Sequence, residues 1–429
     1  MAVTGSERSL APRPSDKDAI VSAPFGGGRN VLAAVNKYPG TNHRAWNGAL
    51  IEEISAFRLD VEQLYDLHVL LRRSDSGATL DVRNDAVAST VGYSSSRVPE
   101  IEIHNSFRFP DGEAATLDQR VLVSPNTPAL LIDNHARFAE ERGHSLFTLA
   151  SLGMDDVRSG DDIEEATYRH TAGYDFIVAH DGNRYLALAQ RNPETGQTAF
   201  DGQRIGLQGV ASGPDRSAWQ DLYLDGTGGL TDTTHQEGKV DTAIGLHAGR
   251  DTDVRWTTGI GFGTSEQEAV DNARWPLYAG YERERATFVA FWKAWCENLS
   301  LSSPSDATAR KLYELSVMSM KCAQDRRGGI IAGAFKPEES SYRHIWPRDL
   351  VIMVQALSAV DATPEARRAL DWLNHAQIKS HTTDERGIDR YGTWWQNYYT
   401  DGSDHWQDLQ LDQVGGPIYA HWLLYEETG

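Results

Sequence analysis

Val254-Arg-Trp-Thr-Thr-Gly-Ile-Gly-Phe-Gly263 followed by Thr264-Ser265-Glu-Gln-Glu268 is the stretch on which the fold class turns. Val254–Ile260 reads as a strand, rich in aromatic and β-branched residues. Ser265 with Glu268 then forms the hydroxyl-x-x-acid pattern of a capping box, which opens a helix. The chain reads as β before this junction and as helical after it.

Upstream, Ile101–Phe109, Leu117–Val123 and, less cleanly, Leu130–Phe138 alternate apolar and polar residues, and Leu146–Leu149 is a short apolar run. Tyr174–Ala179 and Tyr185–Ala189 flank His180-Asp181-Gly182-Asn183, a good hairpin turn because Gly and Asn tolerate positive φ. Recurring strands with few helices between them predict a large antiparallel sandwich over residues 29–263, with one helical exception around Ser217–Leu222. Residues 1–28, of Gly, Pro, Ser and mixed charge, predict a flexible tail. They lack the basic-then-apolar order of a signal peptide, which points weakly to a cytoplasmic location.

Downstream, residues 264–300 predict a helical linker leaving the sandwich: a short helix interrupted by Pro276, then a second from Leu277 to Leu299. Residues 301–429 predict further helices. Ser305–Gln324 carries a stripe of Ala309, Leu312, Leu315, Ser319 and Cys322, and Asp349–Val360 one of Leu350, Met353, Val354 and Leu357. Thr363-Pro364-Glu365 opens a helix with Ala366, Ala369, Leu370 and Leu373 inward. A last helix from near Gly416 is expected to bury Tyr419, Trp422 and Leu423.

Composition narrows the function classes. The 429 residues hold 61 Asp+Glu against 41 Lys+Arg, a formal charge of −20. Such a balance argues against nucleic acid and against an anionic membrane face, both of which need clustered cations. Only 8 of the basic residues are Lys. An acid-rich, Lys-poor surface suits a high-salt cytoplasm, where ions screen self-repulsion. Cys296 and Cys322 are too few for a disulfide scaffold and read as buried thiols. Gly26–Gly28 and the glycines of 259–263 lack the Lys-Ser/Thr ending of a phosphate loop.

Two loops carry chemistry. Ser341-Tyr342-Arg343-His344-Ile345-Trp346-Pro347-Arg348-Asp349-Leu350 feeds a helix start. Arg348 and Asp349 there can donate to and accept from a polyhydroxylated ligand, and Tyr342 and Trp346 offer faces for a sugar ring. The plainer alternative is that Asp349 caps the helix and pairs with Arg348. The second loop, Tyr391 to Pro417, contains Trp394, Trp395, Trp406, Gln410 and Asp412 among further Tyr, Asn and Asp residues, the mixture of a carbohydrate cleft. The acids of 401–412 read as solvated rather than as a Ca²⁺ site, and no redox or nucleotide cofactor is expected.

These segments resemble the glucoamylase/glucodextranase family of glycoside hydrolases, family 15. The Tyr-x-x-x-Trp-x-Arg-Asp pattern is matched by Tyr342, Trp346, Arg348 and Asp349, and the Trp-x-x-x-Gln-x-Asp pattern by Trp406, Gln410 and Asp412. Gly48-Ala-Leu-Ile-Glu-Glu through Tyr65-Asp-Leu-His-Val-Leu is similar to the first strands of the prokaryotic members' β domain. The resemblance implies a super-β-sandwich, a helical linker and the N-terminal part of an (α/α)6 barrel. It implies an exo-acting, inverting hydrolase that releases glucose from an α-glucan or α-linked oligosaccharide. Tyr342, Trp346, Arg348, Asp349 and Trp406 would hold the terminal glucose, with Gln410, Asp412, Trp394 and Trp395 as further substrate contacts. Inversion needs two carboxyl groups roughly 6.5–9.5 Å apart. The family pattern places both beyond residue 429, so none of the acids here is expected to be catalytic, Glu426 and Glu427 included. The alternatives are a non-catalytic carbohydrate-binding remnant and a disaccharide phosphorylase of the same architecture.

Overall fold

A computed structural model describes residues 19–23, 31–36, 47–154, 164–224, 230–302, 304–333, 342–383 and 387–428. The β half comprises β1 (Ala19–Ala23), β2 (Val31–Asn36), β3 (Leu50–Ala56), β4 (Glu62–Arg73), β5 (Thr79–Asp81), the one-turn helix α1 (Val82–Asp85), β6 (Ala86–Ser95), β7 (Val98–Arg108), β8 (Ala114–Val123), β9 (Ala129–Phe138) and β10 (His144–Leu152). It continues with β11 (Glu164–Thr171), β12 (Tyr174–Asp181), β13 (Arg184–Arg191), β14 (Gln203–Leu207), β15 (His235–Gly238), β16 (Val240–Gly249) and β17 (Asp253–Gly263). After it come α2 (Glu266–Ala279), α3 (Tyr281–Glu297), α4 (Ala307–Cys322), α5 (Pro347–Ser358), α6 (Thr363–Ala376), the short strands β18 (Asn397–Tyr398) and β19 (Asp404–Trp406), and α7 (Asp412–Thr428).

The sandwich is antiparallel throughout its described pairings. One sheet runs β1-β2-β3-β4-β10-β16-β14 with β5 beside β4, and the other runs β15-β11-β12-β13-β17-β9-β8-β7-β6. The alternation that predicts the strands is the pattern of burial: Ile101, Ile103 and Phe107 of β7 are buried, as are Leu117 and Val121 of β8. Gly182 and Asn183 join Asp181 to Arg184, and Gly182 takes the φ of +56° that this turn requires. The helical exception is observed as a π-helical turn, Gln220–Leu224. One part of the expected tail differs: Ala19–Ala23 pairs with β2 as an edge strand, while residues 1–18 and 24–28 lie outside the described residues.

At the junction Ser265 caps α2 as expected, accepting from the Glu268 amide at 3.3 Å, and Glu268 reaches back to the Thr264 amide at 2.7 Å. Pro276, however, does not interrupt the helix. Its missing N–H would orphan the carbonyl of Asn272, and Thr127 supplies the replacement donor at 3.3 Å. The break falls instead at Gly280, φ +89°. Nor do these helices leave the sandwich. α2 packs on β17, β13, β12 and β9, and α3 on β7, β8 and β9. The glycines of β17 make this close approach available. A Cβ at Gly261 would lie 2.2 Å from the Ala273 amide nitrogen, and one at Gly263 2.4 Å from that of Ala269.

The helical half needs two corrections. On α4, Ala309 and Leu312 face solvent, while Glu314, Val317, Met318, Lys321 and Cys322 are buried. Two polar contacts set this rotation: Glu314 accepts from Arg97 of the sandwich at 2.7 Å, and Lys321 donates to Glu365 of α6 at 2.8 Å. On α7, Tyr419 and Trp422 are exposed. The inward face is Gln413, Pro417, Ala420 and Leu424, small enough at Gly416 to meet Val351 of α5. Leu350, Val354 and Leu357 of α5 and Ala366, Ala369, Leu370 and Leu373 of α6 are buried as expected. Both thiols are buried, and burial pushes Cys296 up to about 11 and Cys322 up to about 12. No helix among the described residues is long and apolar enough to cross a membrane.

Candidate sugar-binding site

Trp346 is the N-cap of α5 and Pro347 its first helical residue. Proline's fixed φ suits that position and its missing N–H costs nothing there. This geometry puts Arg348 and Asp349 in the first turn, pointing at the loop before α7. Asp349 is not the cap. The backbone at Ile345 pairs with Tyr398 of β18 through two hydrogen bonds of 2.8 and 2.9 Å, which fastens the two loops side by side.

The loops then converge on Arg348. Its Nη1 donates to Gln410 Oε1 at 3.2 Å and lies 3.6 Å from Asp412, and its Nη2 lies 3.2 Å from Asp349. Its guanidinium carbon stands 5.3 Å from the centre of the Trp346 ring, a cation–π contact. Trp346 in turn meets Trp406 edge to face, 5.6 Å between centres. Gln413 of α7 donates to Gln410 Oε1 at 2.7 Å, which fixes the amide that Arg348 uses. The site therefore offers an oriented guanidinium, two half-exposed carboxylates and a perpendicular tryptophan pair, with Trp406 40 % exposed. Donors, acceptors and apolar faces in one place suit a ring that carries hydroxyls on its edge and C–H groups on its face.

Residues 45–297 match the family model described as glucodextranase, domain N, and residues 307–429 that described as glycosyl hydrolases family 15. The first match covers more than half of the chain, which therefore belongs to the family that carries the glucodextranase N domain. It is 26 % identical over 175 residues, 38 % of this chain and 23 % of the relative, to a glucoamylase of Clostridium sp. (strain G0005). It is 28 % identical over 123 residues, 28 % of this chain and 18 % of the relative, to an uncharacterised glycosyl hydrolase of Methanocaldococcus jannaschii. Among solved structures it is similar to a bacterial glucoamylase complexed with acarbose (TM-score 0.77, 19 % identity, 97 % of this chain and 56 % of that one). It is also similar to a putative kojibiose phosphorylase from the human microbiome (TM-score 0.56, 9 % identity, 97 % of this chain and 57 % of that one). The chain thus spans a little over half the length of these two structures.

Of the positions expected from the family 15 patterns, Trp346, Arg348, Asp349, Trp406, Gln410 and Asp412 come together. Tyr342 is exposed at the start of the same loop, its carbonyl accepting from the Gly333 amide at 2.8 Å. Trp394 is a correction. It is 3 % exposed and donates its indole N–H to the Leu373 carbonyl at 2.8 Å, so it closes the end of α6 and offers no face to a ligand. Trp395 is half-buried, with Arg390 5.5 Å from its ring centre. Residues that sequence reasoning missed lie around Trp406. His405 stacks on it, His344 stacks on His405 at 4.1 Å, and Asn397 accepts from the Trp406 amide at 3.0 Å. Histidines have no fixed spacing in the two patterns, so only the folded loops reveal them.

Proposed function

We propose that Trp346, Arg348, Asp349, Trp406, Gln410 and Asp412 belong to the terminal-sugar pocket of a glucoamylase-like, exo-acting hydrolase that inverts the anomeric centre of an α-glucan or α-linked oligosaccharide. The convergence of Trp346, Gln410, Asp349 and Asp412 on Arg348 carries this reading. In it, Arg348 donates to sugar hydroxyls, Asp349 and Asp412 accept from them, and Trp406 packs against the ring. None of these acids is assigned the proton-transfer roles: Asp349 and Asp412 face the Arg348 guanidinium at 3.2 and 3.6 Å, which suits them to accepting from sugar hydroxyls. The acid-rich surface is read as adaptation to high salt.

Calorimetry with acarbose and maltose tests the site. Saturable binding is expected, weakened at least tenfold in Arg348→Ala, since a charged hydrogen-bond partner contributes about 1.5–3 kcal/mol. Equal affinity in wild type and variant would remove Arg348 from the pocket. Following maltose by NMR separates the activities: β-glucose as first product supports inverting hydrolysis, and binding without release supports a carbohydrate-binding protein. The likeness to the phosphorylase fold motivates one further arm, in which phosphate-dependent release of glucose 1-phosphate would favour that chemistry.

A further inference from the structure

We propose that Arg58, in the β-sandwich, is a positioning residue for the sugar site, holding the β18–β19 hairpin so that Trp406 meets Trp346. The proposal rests on the sugar-binding reading above for its consequence, but its geometry is independent of any ligand.

The turn between β3 and β4 reaches out of the sandwich to the tip of that hairpin. Arg58 Nη1 donates to Asp401 Oδ2 at 2.9 Å and its Nε to Asp60 Oδ1 at 3.1 Å. Asp60, buried, accepts from the Thr400 hydroxyl and from its amide at 3.3 Å. The Arg58 guanidinium also lies 5.5 Å from the centre of the Tyr399 ring. Tyr399 to Ser403 is the tip itself, closed by Tyr399 N–H to the Ser403 carbonyl at 2.9 Å and by the Ser403 amide to Asp401 Oδ1 at 3.0 Å. One turn of the β domain therefore holds three consecutive residues of the hairpin.

A continuous series of ring contacts leads from there to the site. Tyr399 meets His405 at 4.9 Å, His405 stacks on Trp406 at 5.4 Å, and Trp406 meets Trp346 at 5.6 Å. A second grip from the same strand holds the other loop. Arg343, three residues before Trp346, donates to Ser55 Oγ at 2.7 Å, to the Glu53 carbonyl at 2.9 Å and to Glu53 Oε2 at 3.1 Å. The backbone points the same way. Glu53 and Phe57 sit at φ +52° and +68°, a region that side-chain-bearing residues avoid. Such conformations persist where the surroundings over-determine them, commonly at functional sites. Glu53 receives Arg343 and Phe57 immediately precedes Arg58. The two strained residues thus lie at, or next in sequence to, residues by which the sandwich holds the two proposed sugar-site loops.

The test labels the protein with 5-fluorotryptophan and assigns the Trp406 ¹⁹F resonance by its loss in Trp406→Phe. Arg58→Ala is expected to move or broaden that resonance and to weaken acarbose binding about tenfold, as small misplacements of a site do. Arg58→Lys should restore part of both. Arg97→Ala, which breaks a different contact between sandwich and helices, should lower the melting temperature without moving the resonance. If Arg58→Ala leaves the Trp406 resonance in place, the proposal is overturned. If acarbose fails to bind wild type, the sugar reading fails, while the resonance still decides the positioning role.

Discussion

Asp325, just after α4, is 1 % exposed, with one carboxyl oxygen accepting the Arg327 amide at 2.8 Å and the other without a hydrogen-bond partner among the described residues. Burial pushes its carboxyl from the ordinary 3.8 up to about 6, with the nearby Asp60 adding to the effect. The folded state therefore holds a proton that the unfolded chain has already released, and stability falls as pH rises from about 4 to about 6. Asp325→Asn should remove that loss. Urea unfolding of both proteins at pH 4 to 8 is expected to give a gain of about 3 kcal/mol for the variant above pH 6, shrinking towards pH 4. A gain that does not vary with pH would assign the effect to something other than this carboxyl. Single residues of the proposed sugar site were readable in the chain because aromatic and charged side chains at fixed spacing are rare in plain loops. Trp394 misled for the same reason. Its type fits a cleft, and only the position of the α6 end shows that its N–H closes a helix.

At the scale of elements, the glycines of 259–263 have a packing role rather than a phosphate-binding one. Gly259, Gly261 and Gly263 lie on one face of β17, and α2 rests on it at backbone distance. Gly261→Ala would put its methyl within 2.2–2.3 Å of α2 backbone atoms, so the helix must lift from the sheet. The expected cost is about 2–3 kcal/mol, measured as a lower urea midpoint at unchanged slope. Substitution at Gly173, where nothing stands within 4 Å but φ is +78°, should cost less, about 1 kcal/mol, and only through backbone strain. Helix positions were legible because apolar residues recur at three and four. Which face turns inward was not, on α4 and α7, because those helices carry apolar residues most of the way round. Ion pairs of Glu314 and Lys321 chose the face of α4, and small residues against α5 chose that of α7.

For the whole molecule, the charge of −20 sets a testable dependence on salt. At about 0.1 M ionic strength charges interact over about 10 Å, and at 1 M over about 3 Å. Surface carboxylates then cease to repel one another, so the melting temperature should rise steadily with KCl between these concentrations. A flat or falling curve would remove the salt-adaptation reading. Arginine pairs such as Arg120 with Asp133 and Glu282 already neutralise part of the surface, and their screening works against the rise.

The sequence by itself determined that a β half precedes a helical half, where the change falls, and which two loops hold the aromatic and charged side chains that gather around Arg348. Those properties depend on periodicity and residue type, which are local. Tertiary structure decided that α2 and α3 lie on the sandwich rather than leave it, that Pro276 is tolerated, and that the sandwich holds the site loops through Arg58 and Arg343. Each of these depends on a partner far away in the chain: Thr127 for the carbonyl that Pro276 frees, Asp401 for Arg58, Glu53 for Arg343. No local pattern encodes a hydrogen bond across hundreds of residues, and it becomes visible only when folding brings its two ends within three ångströms or so.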